Sequence, residues 1–261
     1  MSTFRDDCLR GKGILITGAL GAIGQVVVSA LVGHGATVIA NDILSDEEAN
    51  PVFLRNGWPR ARCHYVRANI TERDQVDRLL ASTLEKAGKL DVALCHAGIV
   101  LACPILKCSE QDWDRIIDLN LKGSFLTAQT AARIMTSQKT AGKIIFTTSW
   151  VEDVPWPEIT PYSVTKSAAR TLMRGMAREL APVGIRVNAV APGIVGVGMA
   201  KRQWDGDPDY RRRAEKAIPL GYLQTPESVA DALLFLSSDA SDYLTGTTLL
   251  VDGGCSLYPM D

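Results

Sequence analysis

The sequence lacks an excess of charge of either sign. Its 28 Lys and Arg residues nearly balance its 29 Asp and Glu residues, and the formal net charge at pH 7 is −1. Proteins that bind nucleic acid through its phosphates usually show a clustered excess of Lys and Arg. The composition therefore gives no support for a nucleic-acid partner, and we expect none.

The sequence also lacks the spacings typical of a metal site. Its six Cys residues are scattered without a C-x-x-C pair, and His34, His64 and His96 lie far apart. We therefore expect no metal, and we expect reduced thiols in a cytoplasmic protein rather than a disulfide framework.

No apolar segment typical of a signal peptide occurs in the first residues, which also favours a cytoplasmic location. Residues 14–33 contain no charged residue and are long enough to span a bilayer. Their glycines and their strand-then-turn pattern favour a buried βα unit instead. We expect no membrane association.

Short apolar segments typical of buried strands alternate with helical patterns along the chain. This alternation predicts a parallel sheet covered on both faces. We predict one α/β catalytic domain over residues 1–261, a Rossmann-type doubly wound parallel sheet of about seven strands with helices on both faces. The predicted strands are residues 13–17, 35–41, 63–68, 90–95, 143–148, 185–190 and 247–251.

Several polar residues predict where helices begin. Ser45 and Glu48 match a capping box, and Thr71 and Thr160 stand at N-cap positions. Residues 109–137 predict one or two helices. Residues 197–216 are polar, basic and irregular, which predicts a mobile substrate lid rather than a helix packed throughout.

A glycine-rich turn follows the first predicted strand. Gly18, Gly21 and Gly24 would bring backbone N–H groups and a helix N-terminus to a pyrophosphate, although any tight βα turn also needs glycine. Asp42 ends the second predicted strand, where a carboxylate accepts hydrogen bonds from the adenosine ribose and repels a 2′-phosphate. Together these residues favour NAD over NADP, the alternative being a solvated Asp in a turn.

Three side chains that suit proton transfer follow the fifth predicted strand. Ser149 stands at its carboxyl end, where ligands bind in open α/β sheets. Tyr162 and Lys166 are four residues apart and therefore share one helix face. A nearby ammonium lowers the pKa of a phenol, which otherwise ionises only near pH ~10. The spacing suits general acid–base chemistry, although such a pair also occurs by chance on solvated helices.

These motifs resemble the short-chain dehydrogenase/reductase family over essentially the whole chain. The turn that begins at Thr17 is similar to the family's T-G-x-x-x-G-x-G, with Ala22 in place of the middle glycine. Residues 95–98 stand where the family has N-N-A-G, and residues 192–193 match its P-G turn near the nicotinamide. Asn120 matches the asparagine of its catalytic tetrad.

The resemblance implies a role for each matching position. The implied catalytic residues are Asn120, Ser149, Tyr162 and Lys166. The implied cofactor-binding residues are Gly18, Gly21, Ile23, Gly24, Asp42, Asn69, Ile70, Cys95, Ala97, Gly98, Tyr162, Lys166, Pro192, Ile194 and Val195. The residues expected to contact substrate are Ser149, Val151, Trp156, Tyr162 and Trp204.

Within the family, residues 150–157, 218–222 and 252–259 resemble the bacterial glucose 1-dehydrogenases. Val151 and Val100 stand where that subgroup carries a histidine and a glutamate beside the sugar, which weakens the match to glucose. We expect NAD-dependent hydride transfer on a secondary alcohol of a sugar, polyol or similar small polar substrate, by a homotetramer. In a tetramer, the tail from Cys255 onward either reaches a neighbouring site or is a frayed terminus.

Two other functions stay open. A carbonyl reductase, such as a 3-oxoacyl thioester reductase, runs the same chemistry in reverse, usually with NADPH. A non-catalytic NAD-binding assembly protein would account for the departures at Ala22, at Cys95 and His96, and at Val197. The intact tetrad favours an enzyme, because a protein kept only for binding has no need of all four groups.

Overall fold

The computed structural model describes residue 5 and residues 7–257. Tyr258 and Pro259, which belong to the tail considered above, lie outside the described residues. None of the helices in the described part of the chain is long and apolar enough to cross a membrane. Residues 14–33 instead form a strand and a helix, as predicted.

A parallel sheet forms the centre of the molecule. Its spatial order is β3-β2-β1-β4-β5-β6-β7, and every neighbouring pair is parallel. The predicted seven-stranded doubly wound fold is therefore confirmed. The strands are Gly13–Thr17 (β1), Thr37–Asp42 (β2), Cys63–Arg67 (β3), Val92–Cys95 (β4), Lys143–Thr147 (β5), Arg186–Pro192 (β6) and Thr248–Val251 (β7).

Helices cover both faces of the sheet. They are Ala22–Gly33 (α1), Asp46–Asn56 (α2), Arg73–Ala87 (α3), Glu110–Ile117 (α4), Ser124–Ser137 (α5), Thr160–Leu180 (α6), Gly198–Gly206 (α7), Pro208–Ala217 (α8) and Pro226–Ser237 (α9). Apolar residues of α1 and α9 form one core cluster with the sheet, and those of α3, α5 and α6 form the other. Burying both sheet faces explains the uninterrupted apolar strands.

Of the N-cap predictions at Ser45, Thr71 and Thr160, the first is confirmed and the other two are wrong. Ser45 and Glu48 form the predicted capping box of α2. Thr71 does not cap α3, because its hydroxyl bonds the Asn69 side chain and the helix begins at Arg73. Thr160 is the first residue of α6 rather than its cap, because the chain already turns at Glu158, whose φ is 66°.

The predicted irregular lid at residues 197–216 is wrong in its structure, because α7 and α8 occupy this segment. Asp207 caps α8, and its carboxylate accepts from the backbone N–H groups of Asp209 and Tyr210. Tyr210, Ala214 and Ala217 are buried on one face of α8 at helical spacing. This short apolar stripe is enough to pack the helix although its other residues are polar.

The cysteines depart from expectation at one pair. Cys103 and Cys108 form a disulfide in the loop between β4 and α4, so the prediction of six reduced thiols is wrong for these two. The two sulfur atoms are brought together by a single 3₁₀ turn at Ile105–Lys107. Cys8, Cys63, Cys95 and Cys255 are free thiols.

Candidate active site

The loop between β1 and α1 lies against the loop that follows β4. Thr17 Oγ1 accepts hydrogen bonds from the backbone N–H groups of His96 and Ala97, each at 3.1 Å. Gly18 has φ of 69°, and a Cβ atom there would lie 2.8 Å from Ala97 Cα. Only glycine fits this conformation and this close approach. The two loops therefore form one wall of a cleft at the carboxyl end of the sheet.

Asp42 ends β2 at the edge of this cleft. Its Oδ2 accepts from the Leu20 backbone N–H at 3.0 Å, and its Oδ1 accepts from the Ile43 N–H at 2.8 Å. These bonds hold the carboxylate beside the glycine turn. The cleft has a volume of about 560 Å³, and no Lys or Arg of the described residues lines it. This edge of the cleft can accept hydrogen bonds from hydroxyl groups, but it has no cationic side chain that could bind a phosphate.

The cleft brings together most of the predicted cofactor residues. Those that line it are Gly18, Gly21, Ile23, Asp42, Asn69, Ile70, Ala97 and Gly98. The predicted residues that do not line it are Gly24, Cys95, Tyr162, Lys166, Pro192, Ile194 and Val195, of which Tyr162, Ile194 and Val195 line an adjoining cavity. A Cβ atom at Gly24 would overlap the Gly18 carbonyl oxygen, so this glycine lets helix and loop pack together. Cys95 and Pro192 are buried within their strands.

His96 lines the cleft instead of Cys95. Its Nδ1 hydrogen-bonds Thr147 Oγ1 at 2.9 Å. Burial, with a smaller contribution from the Lys166 ammonium, lowers the pKa of its imidazole to about 4. The ring is therefore neutral at physiological pH, which agrees with a packing role rather than an acid–base role.

Ser149, Tyr162 and Lys166 meet where β5 ends and α6 begins. Lys166 Nζ donates to the Thr147 carbonyl oxygen at 2.7 Å and lies 5.3 Å from the centre of the Tyr162 ring. Ser149 hydrogen-bonds the Tyr162 phenol. The predicted helix face therefore carries both groups toward the strand end that holds Ser149.

Burial has the largest effect on the pKa values of Tyr162 and Lys166. It raises the pKa of the Tyr162 phenol to about 12, and the hydrogen bond with Ser149 offsets part of that rise. It lowers the pKa of Lys166 to about 8. The pKa shift of Tyr162 is opposite to the one expected from a nearby ammonium, because its largest cause is desolvation of the buried phenolate.

Asn120 lies in a wide turn of π-helical form, Asp118–Gly123, between α4 and α5. Its Oδ1 accepts from the Ile99 N–H at 2.9 Å, and its Nδ2 donates to the Ile99 carbonyl at 2.8 Å and to Thr165 Oγ1 at 3.2 Å. Turns of this kind are often found at functional sites. Here the turn directs a buried amide toward both the loop after β4 and α6.

A second, smaller cavity of about 210 Å³ adjoins the cleft. Ser149, Val151, Trp156 and Tyr162 line it as predicted, together with Ile194 and Val195. Trp204 does not line it, so its expected substrate contact is not supported. Its ring packs instead beneath the Arg211 guanidinium, which lies 5.5 Å from the ring centre.

Sequence patterns missed several side chains at or beside this site, among them Tyr210, Arg213 and Glu152. Tyr210 and Arg213 of α8 line the small cavity, because the segment expected to be irregular is helical. Glu152 is the third. It follows Ser149 in a 3₁₀ turn, and its side chain is only 3% exposed and lies 3.5 Å from Arg170 Nε. A buried charge cannot be told from a solvated one by composition alone.

Glu152 interacts electrostatically with Lys166. Its carboxylate raises the pKa of Lys166 and opposes the effect of burial. Burial raises the pKa of Glu152 itself, while a Thr148 hydrogen bond, Arg170 and Lys166 lower it and Asp153 raises it. The ammonium therefore depends on a buried carboxylate that touches neither cleft nor cavity.

Comparison with known proteins agrees with this geometry. A family model described as enoyl-(acyl carrier protein) reductase matches residues 18–256. The 3β-hydroxysteroid dehydrogenase 1 of Eggerthella lenta is 35% identical over 253 residues, which cover 97% of each protein. A 3-oxoacyl-(acyl-carrier-protein) reductase of Thermotoga maritima is 37% identical over 94% of this chain and 98% of its own.

Two further similarities extend the range of named activities. The glucose 1-dehydrogenase of Gluconobacter oxydans is 32% identical over 97% of this chain and 94% of its own. The crystal structure of a short-chain type dehydrogenase/reductase from Mycobacterium marinum superimposes with a TM-score of 0.88 at 35% identity, covering 97% and 99% of the two chains.

Fold, site and similarities together define a nicotinamide-dependent oxidoreductase that acts on CH–OH groups of small molecules, with NAD or NADP as cofactor. The chain belongs to the short-chain dehydrogenase/reductase family.

The coupling of Glu152 to Lys166 gives a testable pH dependence. Glu152→Gln removes the negative charge, so the pKa of Lys166 should fall below about 8. If the ammonium is required, the alkaline limb of the kcat/KM profile for alcohol oxidation moves to lower pH, because the ammonium loses its proton earlier. Steady-state kinetics from pH 6 to 10 measure this limb.

Asp153→Asn is the matched control. Asp153 also pairs with Arg170, yet its side chain is 60% exposed. This variant should leave the alkaline limb in place. Equal displacement of the limb in both variants would show that the Arg170 pair, not the charge beside Lys166, controls the profile.

Proposed function

We propose that the protein is an NAD-dependent dehydrogenase. Its substrate is a small polar molecule with a secondary alcohol group, such as a sugar or a polyol. The observation that carries the proposal is that Ser149 and Tyr162 line one cavity beside the cleft, with the Lys166 ammonium 5.3 Å from the centre of the Tyr162 ring. When bound in the cleft, the cofactor accepts or supplies the hydride. The catalytic and binding roles given to individual residues here are part of this proposal.

In this proposal the chain's own residues orient the alcohol and move its proton. Ser149 hydrogen-bonds the reacting oxygen and stabilises its developing charge. Tyr162 takes the hydroxyl proton in oxidation and returns it in reduction. Lys166 favours the phenolate that this transfer needs. Asn120 holds the loop after β4 in place against the catalytic helix.

The glycine turn and Asp42 support the cleft as a dinucleotide site. Gly21 is the N-cap of α1, whose N-terminus suits a pyrophosphate. Asp42 is already held by two backbone N–H groups, and its remaining lone pairs suit ribose hydroxyls. Arg67 donates to the Ile43 carbonyl and does not line the cleft. These features favour NAD.

The reverse reaction on a 3-oxoacyl thioester is the second candidate. The similarity to the Thermotoga maritima reductase favours it. The small cavity weighs against it, because about 210 Å³ is less than the ~300–1,000 Å³ of pockets that enclose drug-sized ligands. A reductase of this kind would also be expected to prefer NADPH.

Replacement of Tyr162 by Phe tests the chemistry. The variant keeps the ring and loses the proton-transfer group, so kcat should fall by on the order of 10²-fold or more, with NADH binding nearly unchanged. Absorbance of NADH with sugars, polyols and hydroxy acids measures turnover, and fluorescence titration measures binding. Near-normal turnover would exclude Tyr162 as the base. A wild type that binds NADH but turns over no alcohol or carbonyl would favour the non-catalytic binding protein.

The cofactor preference follows from Asp42. Wild-type kcat/KM should favour NAD over NADP by at least about tenfold, or ~1.4 kcal/mol. Asp42→Ala combined with Ile43→Arg should shift the ratio toward NADP, because a repelling carboxylate is replaced by a cation. Glu47→Ala, which removes an exposed carboxylate of α2, should leave the ratio unchanged. Equal use of both cofactors by the wild type would refute the role given to Asp42.

We also propose a cytoplasmic homotetramer. Small or apolar residues suited to assembly occur around Ala168, Ala169 and Leu172 and along the last strand. Ala169 is buried within the chain, whereas Leu250 on the edge strand β7 is exposed. Trp113 of α4 and Phe125 of α5 are further apolar residues at the surface. The four free thiols agree with a reducing compartment, whereas the Cys103–Cys108 disulfide does not.

Light scattering at micromolar concentration should give a mass four times that of one chain, because these apolar surfaces are then covered. Cell fractionation tests the location. A monomer in light scattering would contradict the assembly.

A further inference from the structure

The small cavity is lined by an arginine that forms no ion pair with any described residue. Among the described residues that line it, Glu158 and Arg213 are the only charged ones. The other walls are largely apolar or aromatic, and Ser149, Tyr162 and Gln203 add neutral polar groups. An arginine in such surroundings influences strongly which molecules bind.

Arg213 has no hydrogen bond or ion pair with any residue that the structure describes, and its Nε is buried without a partner. Its guanidinium lies 5.3 Å from the centre of the Trp156 ring. The two preceding arginines differ from it. Arg211 donates to the Trp204 carbonyl at 3.0 Å, and Arg212 pairs with Asp209 on the surface. Among the three, only Arg213 both lines the cavity and has a buried donor, Nε, without a partner in the described residues.

Glu158 does not neutralise this cation. It is exposed, and it forms no ion pair with Arg213. Its backbone carbonyl is bonded by the Cys103 N–H, which fixes the main chain at the rim of the cavity. A buried guanidinium donor without an acceptor is unfavourable, and a ligand carboxylate would satisfy it with charge-assisted hydrogen bonds.

We propose that Arg213 binds a carboxylate of the substrate, so that the protein acts on small hydroxy acids and the corresponding oxo acids. This inference rests on the proposed function and narrows its substrate class. Oxidation transfers a hydride from the carbinol carbon to NAD and the hydroxyl proton to Tyr162, leaving a ketone. The carboxylate is not changed. The cavity volume of about 210 Å³ favours an acid of a few carbons rather than a long acyl chain.

Matched acids and neutral esters test the charge preference. The probes are 2-hydroxybutyrate, 3-hydroxybutyrate and 4-hydroxypentanoate, both enantiomers of each, and their methyl esters, all with NAD. In at least one pair, kcat/KM should favour the acid by on the order of tenfold or more, because charged hydrogen bonds are made only by the acid. Arg213→Met should remove that preference, mainly through a higher KM for the acid, with the ester changed less than about threefold.

Two variants separate charge from structure. Arg213→Lys keeps the positive charge and should retain part of the preference, although it loses the planar fork. Arg212→Met removes the neighbouring exposed arginine and should behave as wild type. Equal use of acid and ester by the wild type in every pair would overturn the proposal. So would an Arg213→Met variant that slows acid and ester alike, because that result indicates only loss of packing against Trp156.

A binding measurement distinguishes failure of this inference from failure of the proposed function. At constant ionic strength and with NADH present, butyrate should raise the melting temperature of the wild type more than butyramide does. The difference should vanish in Arg213→Met. If no alcohol is oxidised yet this difference exists, the carboxylate site stands and the proposed dehydrogenase does not. If butyrate and butyramide act equally and no pair shows a charge preference, the carboxylate site is refuted.

Discussion

A buried ammonium is the constraint on which the arrangement of the site depends. Lys166 is only 5% exposed, and it donates a hydrogen bond to the Thr147 carbonyl oxygen at the end of β5. A charge in such a place must keep an acceptor, so α6 cannot slide along the sheet without losing it. The same strand end also bonds His96 through Thr147 Oγ1, and the His96 backbone is bonded by Thr17. A continuous chain of hydrogen bonds therefore links the glycine turn to the catalytic helix.

Sequence alone predicted the parts of this arrangement that depend on regular spacing. The apolar strands, Gly18 with its required left-handed conformation and the Ser45 capping box each leave a local pattern. Tyr162 and Lys166 were predicted to share a face because helical geometry depends only on their separation. The cleft assembled where strand ends meet, which is a property of the fold and not of any one residue.

The parts that sequence missed depend on long-range burial. The helix α8 has a cap at Asp207 and a buried stripe, but its three consecutive arginines made the segment resemble a solvated loop. Arg213 differs from Arg212 only in what surrounds it, and Glu152 differs from Asp153 in the same way. The predicted direction of the Tyr162 pKa shift was wrong for a related reason. The four-residue spacing between Tyr162 and Lys166 contains no information about how deeply the phenol is buried.

The wide turn Asp118–Gly123 contacts both α6 and the wall of the cleft. Its Asn120 clamps the catalytic helix, whereas a Cβ atom at Gly123 would lie only 2.9 Å from the Ile70 side chain, which lines the cleft. One six-residue turn therefore touches both regions. The turn is therefore constrained from two sides, because the same six residues must leave room for the Ile70 side chain and hold the Asn120 amide against α6.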